Sequence, residues 1–397
     1  MKALVLAGGS GTRLRPVSHS LPKQLIPVAN IPILEHVLRN IRDLGVTEIA
    51  VVVGDSAAEI NREIGDGSRL GARITYLHQA EPLGLAHCVR LAGGFLGDDD
   101  FVMYLGDNFL PDGIVAEARR FTAERPAAQV VTHRVDDPRR FGVVELDHDG
   151  SILRLTEKPA HPRSDFALIG VYFFTAAIHR AVAAIAPSAR GELEITDAVQ
   201  WLVTEGAHVT AMEYTGYWKD IGRAEDVLAG NLWLLRKLRP NIAGEVDAAS
   251  VVSGPVVVDP GARVVRSRIE GPVIIGSGTL IEDSRIGPGT SIGRDCTLRA
   301  TRLADSVVLD GASISDVPGL SGSLIGRRAT VTRNVRSNSS HGLVVGDHCR
   351  IEVPVSSSWT EAARLHSLVP RTRRPGSVLD DGVIMSRHSG GRKVGNE

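Results

Sequence analysis

The sequence predicts an α/β protein in which a doubly wound, mostly parallel sheet is followed by a parallel β-helix. Two patterns indicate this fold. Residues 1 to about 235 alternate short apolar strands with amphipathic helical stretches, which favours βαβ units. After Pro240, aliphatic residues recur at steps of five or six, as in a β-helix whose faces each turn one aliphatic side chain inward. We expect domains at 1–240 and 246–355, then a mostly disordered tail at 356–397.

Short apolar runs and helical spacing predict the elements of the first domain. The predicted strands are Lys2–Leu6, Glu48–Val53, Arg73–Leu77, Phe101–Leu105 and Gln129–His133. Helices are predicted over Ile33–Leu44, which ends before Gly45, and over Ala224–Leu238. Because open α/β sheets bind ligands beyond the carboxyl ends of their strands, the segments after Leu6 and after Leu105 are candidate sites.

Three aliphatic registers predict the coils of the β-helix. They comprise Val258, Ile275, Ile292 and Leu309; Val264, Ile281 and Leu298; and Ile269, Ile286 and Leu303. Neighbours within a register are 17 residues apart, which predicts that they stack in successive coils. The pattern blurs at Ser315–Ser323, where we expect a loop or bulge; a further coil is expected at Ile325 and Val331, and more strand at Leu343–Val353.

Composition narrows the function classes. The 397 residues are 43% hydrophobic and 23% charged, as in globular proteins, and the net charge of −1 gives no overall attraction to nucleic acid or anionic membrane. The apolar run Ala3–Ala7 is too short for a signal peptide, and no long apolar segment follows. Cys88, Cys296 and Cys349 lack metal or redox spacing, so we expect reduced thiols. These observations predict a cytoplasmic enzyme that binds neither nucleic acid nor membrane.

A glycine-rich turn after the first strand indicates phosphate binding. Gly8, Gly9 and Gly11 allow backbone N–H groups to approach an anion, and Arg13 and Lys23 supply positive charge. The segment is not a P-loop, because Thr-Arg follows Gly11 where a P-loop has Lys and Ser or Thr. It is not a dinucleotide fingerprint either, because Leu14 stands where the third glycine is needed.

Seven segments in order resemble the sugar nucleotidylyltransferases, and most resemble the members that transfer a thymidylyl group. They are Gly8–Lys23, Gln79–Ala86, Leu105–Asn108, Phe141–Glu145, Glu157–Pro159, Gly191–Asp197 and Trp218–Gly222. The repeats after Pro240 resemble the hexapeptide-repeat left-handed β-helix. The resemblance implies a Rossmann-like nucleotidyltransferase domain and Mg²⁺-dependent transfer from dTTP to α-D-glucose 1-phosphate. The products would be dTDP-glucose and pyrophosphate, in the first step of dTDP-deoxysugar synthesis.

The same resemblance implies a role for individual residues. Arg13 and Lys23 would act catalytically on the triphosphate, and Asp107 and Asp220 would hold Mg²⁺. The implied nucleotide-binding residues are Leu6, Ala7, Gly8, Gly9, Gly11, Thr12, Gln24, Gln79, Gly84 and Asp107. The implied sugar-phosphate-binding residues are Gly142, Glu157, Lys158, Gly170 and Glu192. The nucleophile would be the ionised phosphate of the substrate, so no histidine or serine base is expected.

Several alternatives stay open at this point. Lys23-Gln24-Leu25 resembles thymidylyltransferases, yet uracil presents the same hydrogen-bonding edge as thymine, and Phe141 replaces a tyrosine common in the family. An acyltransferase site in the β-helix would need a histidine base; Ser315–Ser323 contains none, and His341 and His348 are expected at the surface. A non-catalytic regulatory homologue is a third class. We expect the β-helix to serve assembly into a homo-oligomer.

Overall fold

The computed structural model describes residues 1–9, 11–334 and 343–354, so Ser10, His341 and the predicted tail at 356–397 lie outside the described residues. The strands of the α/β part are β1 (Lys2–Leu6), β2 (Pro27–Val28), β3 (Ile31–Pro32), β4 (Glu48–Val53), β5 (Arg73–His78), β6 (Phe101–Leu105), β7 (Asn108–Phe109), β8 (Ala128–Arg134), β9 (Gly142–Leu146), β10 (Ile152–Glu157), β11 (Phe166–Phe174), β12 (Val209–Glu213) and β13 (Lys219–Asp220). The helices are α1 (Ile33–Asp43), α2 (Ala57–Ile64), α3 (Leu85–Leu91), α4 (Gly93–Leu96), α5 (Val115–Glu124), α6 (Ala177–Ala184), α7 (Ile195–Thr204) and α8 (Ala224–Leu235).

Helices cover both faces of the central sheet, as predicted for a doubly wound fold. Successive residues of β1 point to opposite faces: Ala3 and Val5 lie in one buried cluster with residues of α1, and Leu4 and Leu6 lie in another with residues of α3, α6 and α7. The near-continuous apolar run of β1 is therefore explained by burial on both faces.

The sheet has a parallel half and a largely antiparallel half. Its strand order is β10-β9-β11-β6-β1-β4-β5, and β8 joins β11 to β12. Strands β6, β1, β4 and β5 run parallel, whereas β11 is antiparallel to β6 and to β8. The predicted α/β fold is confirmed, and the glycine-rich turn leaves the carboxyl end of β1 in the parallel half.

Sequence-predicted boundaries agree closely with the structure. Strands β1, β4 and β6 have the predicted bounds, β5 extends one residue further and β8 one residue at each end. Helix α1 ends one residue earlier than predicted and α8 three residues earlier. Apolar periodicity is strong in these segments because they are buried, which is why the sequence predicts them well.

The strands after Pro240 form three parallel sheets wound as a β-helix. They are β14 (Asn241–Ile242), β15 (Glu245–Val246), β16 (Val251–Ser253), β17 (Val256–Val258), β18 (Arg263–Val265), β19 (Arg268–Glu270), β20 (Val273–Ile275), β21 (Leu280–Glu282), β22 (Arg285–Ile286), β23 (Thr290–Ile292), β24 (Thr297–Arg299), β25 (Arg302–Ala304), β26 (Val307–Val308), β27 (Ser313–Ser315), β28 (Leu320–Ser321), β29 (Leu324–Ile325), β30 (Thr330–Asn334), β31 (Val344–Val345) and β32 (Arg350–Pro354). From β14 to β27, each strand pairs with the strand three places later, so every turn of chain adds one strand to each sheet. In the last described coil, β29 pairs with β31 and β30 with β32.

The predicted registers are confirmed with one exception. Val258, Ile275 and Ile292 stack in one sheet, but Ile292 pairs with Val308, so the prediction for Leu309 is wrong. That coil is one residue shorter than its predecessors, which moves Leu309 out of the β-helix interior. Leu309 instead joins the buried cluster of the α/β part.

The other two registers agree with the prediction. Val264, Ile281 and Leu298 pair in sequence, as do Ile269, Ile286 and Leu303. Ser315–Ser323, where the sequence predicts a loop or bulge, instead continues the β-helix, since Leu320 pairs with Leu303.

The later strands and the cysteines also agree with the sequence. The expected later coil is confirmed at Ile325 and Val331. All three cysteines are free. Throughout the described part of the chain, every helix is too short or too polar to cross a bilayer.

Candidate active site

The glycine-rich turn lies against the side chain of Lys23. A Cβ atom added to Gly9 would lie 3.1 Å from Lys23 Cε, and one added to Gly11 would lie 2.9 Å from Lys23 Cβ. Gly11 also has φ +61°, so a side chain there would meet both backbone strain and a clash. The buried Gln24 amide donates to Gly9 O at 3.2 Å. Glycine is therefore required for the turn to hold Lys23 so closely.

The residues flanking the turn are held by strand pairing and by short 3₁₀ helices. Leu6 ends β1, and Ala7 N donates to Val52 O at 2.8 Å, so the turn begins from a firmly paired strand. Thr12 begins a short 3₁₀ helix, Thr12–Leu14, and Lys23 begins another, Lys23–Leu25. Arg13 and Lys23 thus lie on tight turns beyond the carboxyl end of β1.

Four charged side chains of distant sequence origin converge beside this turn. Lys23 Nζ forms an ion pair with Asp107, and both side chains are largely buried. Asp220 lies near Asp107 because β13 pairs with β7 and Ile221 N donates to Asp107 O at 3.1 Å. Burial raises the pKa of Asp220, the neighbouring Asp107 raises it further, and Lys23 and Arg13 oppose the shift. The Arg13 guanidinium is close to Gly222, just after Asp220.

A polar network holds Asp107 in position. Asn108 Nδ2 donates to Asp107 Oδ1 at 3.0 Å, and Trp218 Nε1 donates to Asn108 Oδ1 at 2.7 Å. The Phe141 ring meets the Trp218 ring edge-on at 5.3 Å between centroids. Gly170 lies beneath this network, because a Cβ there would come within 2.9 Å of Asn108 Nδ2.

The predicted base-reading residues form a second group. Gln79 Nε2 donates to His87 Nδ1 at 2.9 Å and to Gly84 O at 3.3 Å. Its other amide atom, Oε1, lies on the Gly8 side. Gly84 has φ +101°, and a Cβ there would lie 2.4 Å from Leu193 O. The backbone of residue 84 can therefore pack against the 193 segment only as glycine.

The predicted sugar-phosphate residues form a third group. Lys158 Nζ lies 3.3 Å from Glu157 Oε1, and Arg190 Nη2 lies 2.9 Å from Glu192 Oε2 and 3.9 Å from Glu157 Oε1. Burial raises the pKa of Glu157, and the charge of Lys158 opposes that shift. A Cβ on Gly142 would lie 3.3 Å from Glu157 Oε2. The structure therefore brings four of these five predicted residues into one group, while Gly170 lies under the Asn108 network.

Sequence reasoning missed three side chains that the structure joins to the site. Arg190 bridges three carboxylates, His87 holds the Gln79 amide, and Asn108 connects Asp107 to Trp218. Arg190 stands two residues before Glu192 and four before Glu194. That local charge pattern was a readable signal, whereas the contacts of His87 and Asn108 depend on tertiary folding.

Two carboxylates of the site could hold a divalent cation. Among the described residues, no cluster of three or more acidic, histidine or cysteine side chains could hold a metal. Asp107 and Asp220 supply two neighbouring carboxylates. Burial and, after it, the charge of Asp107 raise the pKa of Asp220, and a bound cation would oppose both effects. Mg²⁺ commonly takes only one or two protein carboxylates and completes its shell with phosphate oxygens and water. The residues present therefore fit this ion.

Several known proteins are similar to this chain. The chain is 52% identical over 354 residues to a glucose-1-phosphate thymidylyltransferase of Streptomyces antibioticus, covering 89% of this chain and 99% of the relative. It is 41% identical to the low-salt glycan biosynthesis nucleotidyltransferase Agl11 of Haloferax volcanii, covering 89% of this chain and 100% of the relative. A crystal structure titled as a putative glucose-1-phosphate thymidylyltransferase from Bacillus anthracis matches with a TM-score of 0.56 at 33% identity, over 61% of this chain and 97% of that chain.

The family model for nucleotidyl transferase matches residues 2–237, a span that includes all of the predicted site residues. Both the glycine-rich turn and the second predicted metal ligand, Asp220, fall within that span. The chain therefore belongs to the nucleotidyl transferase family.

Proposed function

We propose that this protein transfers a thymidylyl group from dTTP to α-D-glucose 1-phosphate, giving dTDP-glucose and pyrophosphate. The observation that carries the proposal is the convergence of Lys23, Arg13, Asp107 and Asp220 beside a glycine-rich turn at the end of β1. Relatives that share about half of its residues over nearly their whole length are named for this activity. Within the proposal, residues 1–240 form the catalytic domain.

The chemistry requires two polyanions to approach each other. An ionised oxygen of glucose 1-phosphate forms a new bond to the α-phosphorus of dTTP as the bond to the β-phosphate oxygen breaks, and pyrophosphate leaves with those electrons. Arg13 and Lys23 would stabilise the charge on the triphosphate and on the leaving group. Gly8, Gly9 and Gly11 would let backbone N–H groups approach the nucleotide. No protein base is needed because the attacking oxygen is already ionised.

Mg²⁺ is part of the proposal, with Asp107 and Asp220 as its ligands. The ion would polarise the α-phosphate and help to align the triphosphate. Lys23 forms an ion pair with Asp107, and its ammonium would also contact phosphate oxygens of the bound nucleotide. Lys23 and Arg13 together carry two positive charges against the two carboxylates of Asp107 and Asp220.

The charges of three side chains suggest how the sugar phosphate would bind. Lys158 would pair with the sugar phosphate, and Glu157 and Glu192 would accept hydrogen bonds from sugar hydroxyls. Arg190 holds both carboxylates in one group and would keep them oriented. Gln79 and the backbone of Gly84 would contact the base. We further propose that the enzyme acts in the cytoplasm and assembles as a homo-oligomer.

A pyrophosphate-release assay tests the proposal. The purified protein would be supplied with Mg²⁺, one of dTTP, UTP, GTP or ATP, and one of several hexose 1-phosphates. We expect the highest kcat/KM with dTTP and glucose 1-phosphate. If a folded, metal-supplied sample releases no pyrophosphate with any pair, the proposed activity is rejected. Preference for another pair would reject the substrates and keep the reaction.

A further inference from the structure

The structure assigns a role in the α/β site to the β-helix: Arg327 is a positioning residue that braces the segment carrying Arg13 and Lys23. This inference rests on the proposed function for its kinetic readout. Arg327 Nη2 donates to the carbonyl of Ser20 at 2.9 Å. Ser20 lies three residues before Lys23, so the brace attaches next to a proposed catalytic side chain.

The supported segment has little regular structure of its own. Between residues 11 and 26 it contains three short 3₁₀ helices, Thr12–Leu14, Val17–His19 and Lys23–Leu25. Such turns make few repeating hydrogen bonds, so their positions depend on tertiary contacts. A segment that must place two cations against a triphosphate therefore needs an external support.

The Arg327 guanidinium is itself held rigidly. Its Nε donates to Asp347 Oδ2 at 2.9 Å, and its backbone N donates to Asp347 Oδ1 at 2.7 Å. The Asp347 side chain is only 1% exposed. Asp347 lies in the next coil, so two coils of the β-helix fix one guanidinium, which in turn fixes the Ser20 carbonyl.

Apolar packing reinforces the same contact. Leu14, Val17 and Leu21 of the supported segment belong to the buried cluster that also contains Val307, Leu309 and Leu324 of the β-helix. Leu309 takes part because its short coil turns it outward. A Cβ on Gly346 would lie 3.1 Å from Pro16 Cβ, so the last described coils touch this segment directly.

A second group of contacts shows that the β-helix is anchored beside the site independently of Arg327. The fully buried Asn231 of α8 accepts from Ser291 Oγ at 2.6 Å and from Ala29 N at 3.0 Å, and it donates to Gly289 O at 3.0 Å. Asn30 Nδ2 donates to Ile292 O at 2.7 Å. Substitution of Arg327 should therefore leave the β-helix packed against the α/β part and remove the hydrogen bond to Ser20 O.

The chain offers a matched control for Arg327. Arg294 makes a similar arrangement two coils earlier, with its backbone N, Nε and Nη2 all donating to Asp310. It lines the same cleft between the β-helix and the α/β part. In the described part of the chain, however, Arg294 makes no hydrogen bond to the supported segment between residues 11 and 26. Arg327→Gln and Arg294→Gln thus differ in the Ser20 contact.

The test compares these two variants with wild type in full-length protein. We expect Arg327→Gln to lower kcat by about tenfold, because a small displacement of charged groups is costly in transfer reactions. Arg294→Gln should keep the wild-type kcat. The Tm of Arg327→Gln should fall further, because the side chain of its partner Asp347 is 1% exposed whereas that of Asp310 is 43% exposed, so kcat is measured well below both Tm values. Arg327→Lys keeps one donor and should recover part of the loss. Equal kcat values for the two glutamine variants would overturn the inference.

Hydrogen–deuterium exchange gives a readout that needs no activity. Peptides covering residues 11–25 should exchange faster in Arg327→Gln than in Arg294→Gln or wild type, while peptides of β1 and β6 should not change. Uniformly faster exchange across the α/β part, or no difference at 11–25, would overturn the brace. If wild type shows no pyrophosphate release, the proposed function fails while this exchange comparison still decides the inference.

Discussion

Charged side chains converge in the interior of the α/β part, whereas most of those in the described β-helix stay on the surface, with the buried side chain of Asp347 as an exception. Asp220 and Glu157 are largely withdrawn from water, and burial raises the pKa of both. In the β-helix, Arg266 donates to Glu282 and Asp283 of the next coil. Its hydrogen bond to Asp283 lowers the pKa of that carboxyl. The first arrangement costs stability, and the second is close to neutral.

This difference supports the proposed location of the chemistry in the α/β part. Burial of like charges, as between Asp107 and Asp220, is unfavourable without a ligand and is typical of functional sites. The β-helix interior instead stacks aliphatic side chains in register, with Ile269, Ile286 and Leu303 as one example. We therefore expect substitutions in the two regions to affect different quantities.

The largest effect is expected at Asp107. Asp107→Asn should lower kcat by about a thousandfold, since it removes a proposed metal ligand and the partner of Lys23. Its Tm should fall little. Loss of the ion pair with Lys23 lowers the Tm, and loss of the repulsion with Asp220 offsets part of that fall. Steady-state pyrophosphate release and calorimetry measure the two quantities. Asp112→Asn is the control, because Asp112 pairs with Lys237 near the surface; near-normal turnover by Asp107→Asn would contradict the comparison.

A substitution in the β-helix interior should show the opposite pattern. Ile286 is fully buried, so Ile286→Ala should destabilise the protein by about 3 kcal/mol through lost burial and a residual cavity. The kcat of the folded fraction at low temperature should stay near wild type. Thermal unfolding of the alanine variant beside Ile286→Val, expected to cost about 1 kcal/mol, checks this. Equal Tm values for the two variants would show that this position is not tightly packed.

A smaller and selective effect is expected on the sugar side. Lys158→Ala should raise the KM for glucose 1-phosphate by about tenfold, because one charge-assisted contact to phosphate is lost. The KM for dTTP should not change. Initial rates with each substrate varied in turn separate the two constants, and Lys237→Ala serves as a surface control. A parallel rise in both constants would argue against a role confined to the sugar phosphate.

The smallest effect concerns a buried carboxyl outside the site. Burial raises the pKa of Glu117 on α5, and none of the ion pairs seen in the described residues includes it. The native state therefore holds this proton more tightly than the unfolded state, and wild-type stability falls as pH rises above the usual carboxyl range. Glu117→Gln should raise Tm slightly at about pH 8 and lose that advantage near pH 4.5. Melting curves across this pH range measure it; a constant offset would contradict the burial argument.

Local patterns carried most of the fold prediction. The apolar runs of β1, β4 and β6 predicted their strands to the residue, because burial on two faces leaves an uninterrupted signal. The 17-residue spacing predicted the stacking of Val258 and Ile275. It failed at Leu309, since the loss of one residue from a coil reverses which side chain points inward. An extrapolated period cannot detect such a change until the pairing is known.

The sequence alone determined the elements, their order, the glycine-rich turn and the charged residue types that a phosphate site requires. Tertiary structure alone decided that Asp107 meets Asp220, that Asn108 links Asp107 to Trp218, and that Arg327 reaches Ser20. The physical reason is range. Propensity and burial periodicity act over a few neighbouring residues, whereas these contacts join segments whose proximity exists only after the sheet and the coils have packed.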